Sequence, residues 1–235
     1  MLLTPHDRLF VLTGAGISAE SGLATFRGSG GLWDGHRVEE VATPEAWEIN
    51  PALVWRFYSQ RRRDALDTRP NAAHFALAQI EQRLMQESGN FYLCTQNVDD
   101  LHERAGSHRL HHMHGSLFES RCVRCEQPFP DRAFHEDADC LPRCGICGSH
   151  VRPHIVWFGE MPLDMDAIYR ELNLATVLLV VGTSGSVYPA AGLVHLARAR
   201  NIRTVYVGPE EPQNADAFSE LVLGPATQVL PSLFS

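Results

Sequence analysis

RLFVLTGAGISAESGLATFR, residues 8–27, decides the fold. An apolar, β-branched run ends in Gly14 and Gly16, which suit a tight turn that lets backbone N–H groups approach a phosphate at a helix start. The third glycine of a G-x-G-x-x-G fingerprint is replaced by Ala19, and no strand ending in Asp or Glu follows at about twenty residues. The stretch therefore fits a dinucleotide loop or an ordinary strand-to-helix turn. It does not separate hydride transfer from other nucleotide chemistry.

Working outward, similar runs recur at NFYLCTQ (90–96), TVLLVVGTS (176–184) and RTVYVG (203–208), with helical patterns HFALAQIEQRLM (74–85) and AAGLVHLARARN (190–201) between them. Strands alternating with helices predict parallel βαβ units and a doubly wound sheet. Ligands of such sheets sit beyond the carboxyl ends of the strands, where GAG, TQN and GTS fall. Two stretches break the rhythm: residues 28–70, rich in Gly, Pro, Trp and Arg with one predicted helix at PALVWRFYSQRRRDAL (51–66), and residues 116–156, which carry most of the cysteines. The expected fold is α/β, with one domain over 1–235. Its large lobe takes in about 1–27, 71–115 and 157–235. A small second lobe is formed by the insertions 28–70 and 116–156, with a cleft between the lobes.

Cys122-x2-Cys125 and Cys144-x2-Cys147, eighteen residues apart, match a zinc-ribbon spacing. Four thiolates close a tetrahedral shell and leave no position for water, so the metal is expected to be structural. Cys140 reads as a free thiol and Cys94, inside an apolar strand, as a small core residue. Paired CxxC steps point to a reducing compartment, with cytoplasm as the default.

The net charge of −8 argues against a nucleic-acid binder, which needs a broad basic face. All twenty basic residues are Arg, which excludes Schiff-base lysine chemistry and a P-loop. No signal peptide is recognisable in the first residues, and no uninterrupted apolar window reaches membrane-spanning length. Against this acidic background RFYSQRRRDAL (56–66) stands out, and it admits a nucleic-acid contact, a membrane patch or a pocket for one small anion.

In TQNVDDLHERAG (95–106), Gln96, Asn97 and Asp99 fall where a buried strand turns out, either as site residues or as a capping turn. In HHMHGS (111–116) a histidine near neutral pKa can accept a proton from a sugar hydroxyl. His111 and His112 read as solvated or supporting residues, but chemistry alone does not single out His114.

GAGISAESGLATFRG, TQNVDDLHERAG, HGS, the two CxxC pairs, RPHIVWFGE and GTSGSVYPAA occur in one order that resembles the sirtuin family of NAD-dependent protein lysine deacylases, over about residues 8–230. The resemblance implies a Rossmann-type large domain with a small zinc domain, NAD as co-substrate, one structural Zn2+ and acyl-lysine proteins or peptides as partners; the charge and composition above speak against nucleic acid and membrane, and a monomer is the default. It makes His114 the general base for a ribose hydroxyl. Asn97 and Gln96 orient the nicotinamide ribose, and Asp99, beside Val98, holds the carboxamide. Gly14, Ala15, Gly16 and Ser18 face the phosphates, Phe26 and Arg27 belong to a covering loop, and Gly182, Thr183 and Ser184 reach the adenosine. Backbone of VWFGE (156–160), with Val156, Phe158 and Gly159 as the substrate residues, and of GSVY (185–188) sandwiches the peptide as an added strand.

On a helix Tyr58 and Arg61 share a face, and Tyr-x-x-Arg is similar to the pattern of sirtuins that remove acidic acyl groups. A guanidinium fork with a phenol then grips the carboxylate of succinyl- or malonyl-lysine. A solvated helix face suits Arg62 and Arg63 better. One departure concerns the adenosine end, where YVGPEE (206–211) replaces the family's usual IN-x-E, leaving Gly208, Glu210 and Ala226 as candidates there. Expected products are nicotinamide and O-acyl-ADP-ribose. The alternatives are an NAD-dependent protein ADP-ribosyltransferase, an ordinary dehydrogenase, for which no hydride-site constellation is visible, and a non-enzymatic zinc-ribbon module.

Overall fold

The computed structural model describes residues 3–24, 32, 33, 35–137 and 140–233. β1 (Arg8–Thr13) turns at Gly14 into the short α1 (Ala15–Ala19). A hairpin of β2 (Leu32–Trp33) and β3 (His36–Arg37) leads to α2 (Val38–Val41), α3 (Pro44–Ile49) and the long α4 (Pro51–Asp67). α4 starts where Asn50 accepts the Leu53 N–H at 3.0 Å and Pro51 takes a first-turn position whose N–H has no helical partner to lose. α5 (Ala72–Gln86) precedes β4 (Asn90–Thr95), α6 (Leu101–Arg104) and β5 (Leu110–His112). β6 (Gly115–Cys122), β7 (Pro128–Pro130) and β8 (Val151–Ile155) follow. The chain ends with α7 (Met165–Leu174), β9 (Val177–Val181), α8 (Gly192–Ala199), β10 (Arg203–Gly208), β11 (Glu220–Leu223) and α9 (Ala226–Leu233).

Six strands form one parallel sheet in the order β11-β10-β9-β1-β4-β5. The chain steps outward from β1 to β4 and β5, crosses back to β9, then steps outward the other way. The order reverses between β1 and β9, and an open parallel sheet binds ligands at that reversal. β1 shows why the sheet is central: Leu9 and Val11 pack with Leu77, Ile80, Leu84 and Leu230 on one face, while Phe10 and Leu12 pack with Ile168, Leu172 and Leu193 on the other. A strand buried on both faces reads as an unbroken apolar run.

β6, β7 and β8 make a second, antiparallel sheet in the order β7-β6-β8. α4 packs on it through a third cluster that joins Val54, Phe57 and Tyr58 to Leu117, Phe118, Ile155 and Trp157. No described helix is long and apolar enough to cross a membrane.

Candidate active site

The registers Thr13↔Thr95 and Thr13↔Val181 bring three strands to a common carboxyl edge. Gly14, Gln96 and Gly182 leave the sheet there side by side, with Gly14 N–H donating to Val181 at 3.0 Å and Gln96 N–H to Thr13 at 2.9 Å. The turns after β1 and β9 interlock: Gly16 N–H donates to the Gly182 carbonyl at 2.9 Å. A Cβ on Gly16 would lie 2.7 Å from Gly182 Cα, and Gly182 has φ +63°. Both positions need glycine, one for close approach and one for backbone conformation.

A cavity of about 450 Å³ opens over this edge, within the usual size range of small-molecule sites. Its walls include Gly14, Ala15, Gly16, Ser18, Gln96, Asn97, Val98, Asp99, His114, Gly182, Thr183, Ser184 and Glu210, and also Tyr58, Arg61, Val156, Phe158 and Gly159. Thus α4, the β1, β4 and β9 turns, the start of β6 and the segment after β8 meet in one chamber. Gly208 and Ala226 do not line it. Ala226 is buried in the core under the sheet, and the space beside Gly208 is filled by the Tyr206 phenol, which donates to the Thr183 carbonyl at 3.2 Å. Phe26 and Arg27 lie outside the described residues.

The polar floor is tied together. Asn97 Nδ2 donates to Ser18 Oγ at 3.0 Å, and Ser18 Oγ donates to Asp99 Oδ2 at 3.1 Å. Asp99 is buried, and burial pushes its pKa up despite hydrogen bonds from Leu101 N–H and Ser18. His114 Nδ1 lies 3.1 Å from the Gln96 carbonyl. A carbonyl can only accept, so Nδ1 carries the proton and Nε2 keeps its lone pair. Burial lowers the His114 pKa, outweighing the bond to Gln96, so the ring is a neutral base near pH 7. His112 differs: its two nitrogens face the Asn97 carbonyl at 2.8 Å and a Glu103 carboxylate oxygen at 2.7 Å. Burial works to lower its pKa, but Glu103 prevails and the pKa is raised. His112 bridges the Asn97 carbonyl and the Glu103 carboxylate, and His114 is the histidine on the cavity wall.

Tyr58 is fully buried and Arg61 is 7% exposed. Burial raises the phenol's pKa, so it stays protonated. Its oxygen accepts from the Trp157 indole N–H at 3.1 Å, and Arg61 donates to the Ala24 carbonyl at 3.3 Å. Arg62 corrects an expectation. Instead of lying on a solvated helix face it is 0% exposed. It donates to the carbonyls of Leu117 and Ala133, to Ser120 Oγ at 3.1 Å and to Asp131 at 3.3 Å. Of the pair, only Arg63 is a surface residue, bonded to Glu136.

Cys122, Cys125, Cys144 and Cys147 place their Sγ atoms within 4.8 Å of one another. Tetrahedral zinc with bonds of about 2.3 Å separates its sulfurs by about 3.8 Å, and Cys122 and Cys147 Sγ are 3.5 Å apart. Arg124 and Cys125 N–H groups point at Cys122 Sγ at 3.4 and 3.3 Å, as suits a thiolate. The donor set fits a structural zinc ion, and none of the four lines the cavity. Cys140 is exposed and Cys94 is buried.

Trp157, Tyr206, Glu211 and Gln213 also line the cavity and were not singled out from the sequence. VWFGE carried a signal for its backbone only, and the loop after β10 matches no motif.

The Sir2 family model matches residues 14–189. NAD-dependent protein deacylases of Caulobacter vibrioides and Salmonella typhimurium are 52% and 49% identical to this chain. The alignments cover 96% of this chain in both cases, and 94% and 82% of those proteins respectively. A Leishmania major NAD-dependent protein deacylase, SIR2rp3, is 48% identical over 94% of this chain and 92% of that protein. Among solved structures, a Sir2 homologue–NAD complex superposes with a TM-score of 0.88 at 40% identity, covering 97% of this chain and 89% of that one. Sir2 bound to acetylated peptide superposes at 0.80 with 29% identity, covering 96% and 91%.

Proposed function

The chain belongs to the Sir2 family, and from that premise we propose that it is an NAD-dependent protein lysine deacylase that favours acidic acyl groups, succinyl and malonyl, while also accepting acetyl. The observation that carries the preference is that Tyr58 and Arg61 line the same cavity as His114 and the β1 and β9 turns. A buried guanidinium and a protonated phenol are complementary to a carboxylate, and hydrogen bonds to a charged partner contribute about 1.5–3 kcal/mol each. An acetyl group offers that guanidinium no carboxylate to add to its bond with the Ala24 carbonyl.

In the proposed reaction the Gly14–Gly16 and Gly182–Ser184 turns hold the NAD phosphates and adenosine side. Gln96 and Asn97 orient the nicotinamide ribose, and Asp99 holds the carboxamide. The acyl amide oxygen attacks the ribose carbon and nicotinamide leaves. The protein's part is positioning and charge stabilisation. His114 Nε2 then takes the proton of a ribose hydroxyl, freeing it to attack the acyl carbon; water adds at that carbon and the lysine amine leaves with its C–N bond broken, giving O-acyl-ADP-ribose. Backbone of residues 156–160 and 185–188 pairs with the peptide, and the cysteine quartet would hold its zinc as scaffold. The 28–70 and 116–156 insertions act as the small lobe of a monomeric cytoplasmic enzyme.

Incubation with NAD and a succinyl-lysine peptide tests this reading. Nicotinamide and O-succinyl-ADP-ribose are expected, with faster turnover than on the matched acetyl peptide. Label from NAD fixed on the acceptor protein would mean ADP-ribosyl transfer instead, and equal or better use of acetyl-lysine would remove the acidic preference.

A further inference from the structure

The Tyr58 phenol does not sit in the cavity wall by packing alone. Trp157, 2% exposed, donates its indole N–H to the phenol oxygen at 3.1 Å, joining α4 to the segment after β8 across ninety-nine residues of sequence. The indole is itself anchored. Arg152 stacks its guanidinium over the Trp157 ring at 3.3 Å from the centroid. Arg152 also donates to both Glu160 oxygens at 2.7 and 2.9 Å, and Glu160 in turn accepts the Trp157 backbone N–H at 2.8 Å. Arg121 adds a bond to Glu160 at 3.1 Å. Two arginines, one carboxylate and one indole thus fix the direction from which the phenol is approached.

An indole N–H can only donate, whereas a phenol can donate or accept. In this pair the phenol oxygen is therefore the acceptor, and its own proton must lie off the line to Trp157. Burial keeps that proton on the oxygen. A carboxylate can only accept, so a phenol already committed as acceptor to Trp157 is left in the polarity an acidic acyl group requires. A phenol released from the indole can turn and lose that polarity.

We infer that Trp157 is a positioning residue for acyl specificity, fixing the Tyr58 hydroxyl as a hydrogen-bond donor to an acidic acyl group without itself needing to touch that group. The inference rests on the proposed acidic-acyl reading and assigns the preference to three side chains, Tyr58, Arg61 and Trp157, from two distant segments.

The test is a double-mutant cycle of wild type, Trp157→Phe, Tyr58→Phe and the double variant, with kcat and KM measured on succinyl- and acetyl-lysine peptides of one sequence. Trp157→Phe should lower the succinyl-to-acetyl ratio of kcat/KM about five- to tenfold, the effect of one hydrogen bond, with KM for the succinyl peptide carrying most of the change. In the Tyr58→Phe background the same substitution should change the ratio less than about twofold, because the residue acts through the phenol. A full drop persisting without the phenol, or an unchanged ratio in Trp157→Phe when Tyr58→Phe lowers it, overturns the inference alone. An unchanged ratio in Tyr58→Phe overturns the acidic-acyl reading and the inference with it. If Trp157→Phe does not fold, benzothienylalanine at 157, which keeps the ring shape and lacks the N–H, replaces it in the cycle.

Discussion

Replacing Arg62 with Met tests how α4 is held. The guanidinium is 0% exposed and satisfies the Leu117 and Ala133 carbonyls, Ser120 and Asp131, while lying over the Trp55 ring at 5.3 Å. Methionine fills much of the volume but donates to none of them. Removing one member of a buried ion pair costs about 3–5 kcal/mol, and each orphaned buried acceptor adds about 1–3 kcal/mol. The guanidinium's own desolvation, which lowers its pKa here, is relieved in the variant and offsets part of the loss. A net destabilisation of about 3 kcal/mol remains, a large share of a typical stability of about 5–15 kcal/mol. For a chain of this length it corresponds to a fall in Tm of roughly 6–12 °C. Calorimetry or thermal circular dichroism with zinc present reads it directly. A Tm within about 2 °C of wild type would mean that the buried cation contributes little and that apolar packing alone seats α4 on the second sheet.

Three further outcomes follow. Asp131 has its pKa held below the usual carboxylate range, because hydrogen bonds from His135 and Ser120 and the charge of Arg62 outweigh a desolvation that works to raise it. A depressed folded pKa stabilises above the unfolded value of about 3.9 and loses that contribution as pH falls through and below it toward the folded value, so denaturant titrations from about pH 5 down to about pH 2 should show a steeper loss for wild type than for Arg62→Met. The His114 pKa is lowered by burial and the neutral ring is the active form, so kcat/KM should stay level as pH falls through 6.5 and decline only below it. A midpoint at or above 6.5 would contradict that environment, and His114→Gln should abolish turnover at every pH. Chelation or thiol modification should release one zinc per chain and lower Tm, with Cys144→Ser matching it; an unchanged Tm after complete metal loss would remove the structural role.

The parallel sheet was legible because its strands are buried on both faces and so read as apolar runs, each ending in glycine or a polar turn. β5, only Leu110–His112, left no such run. The metal site was legible because ligand spacing is a local property. Arg62 was not, because three consecutive arginines point in three directions around a helix, and only the antiparallel sheet, contributed from residues far along the chain, decides which are covered. For the same reason helical spacing pairs Tyr58 with Arg61, whereas nothing local signals the Trp157 side chain, whose partner is ninety-nine residues away. The Gly208 departure resolves locally: the Tyr206 phenol uses the space a side chain would need.

Arg61→Met, assayed for kcat/KM on succinyl- and acetyl-lysine peptides of one sequence, tests the acidic-acyl pocket most directly. Loss of about 2–3 kcal/mol of hydrogen bonding to the distal carboxylate predicts a fall of roughly 30- to 150-fold on the succinyl peptide, with the acetyl peptide changing several-fold at most. Equal losses on both peptides would contradict the account, because Arg61 would then hold the fold together rather than read the acyl group.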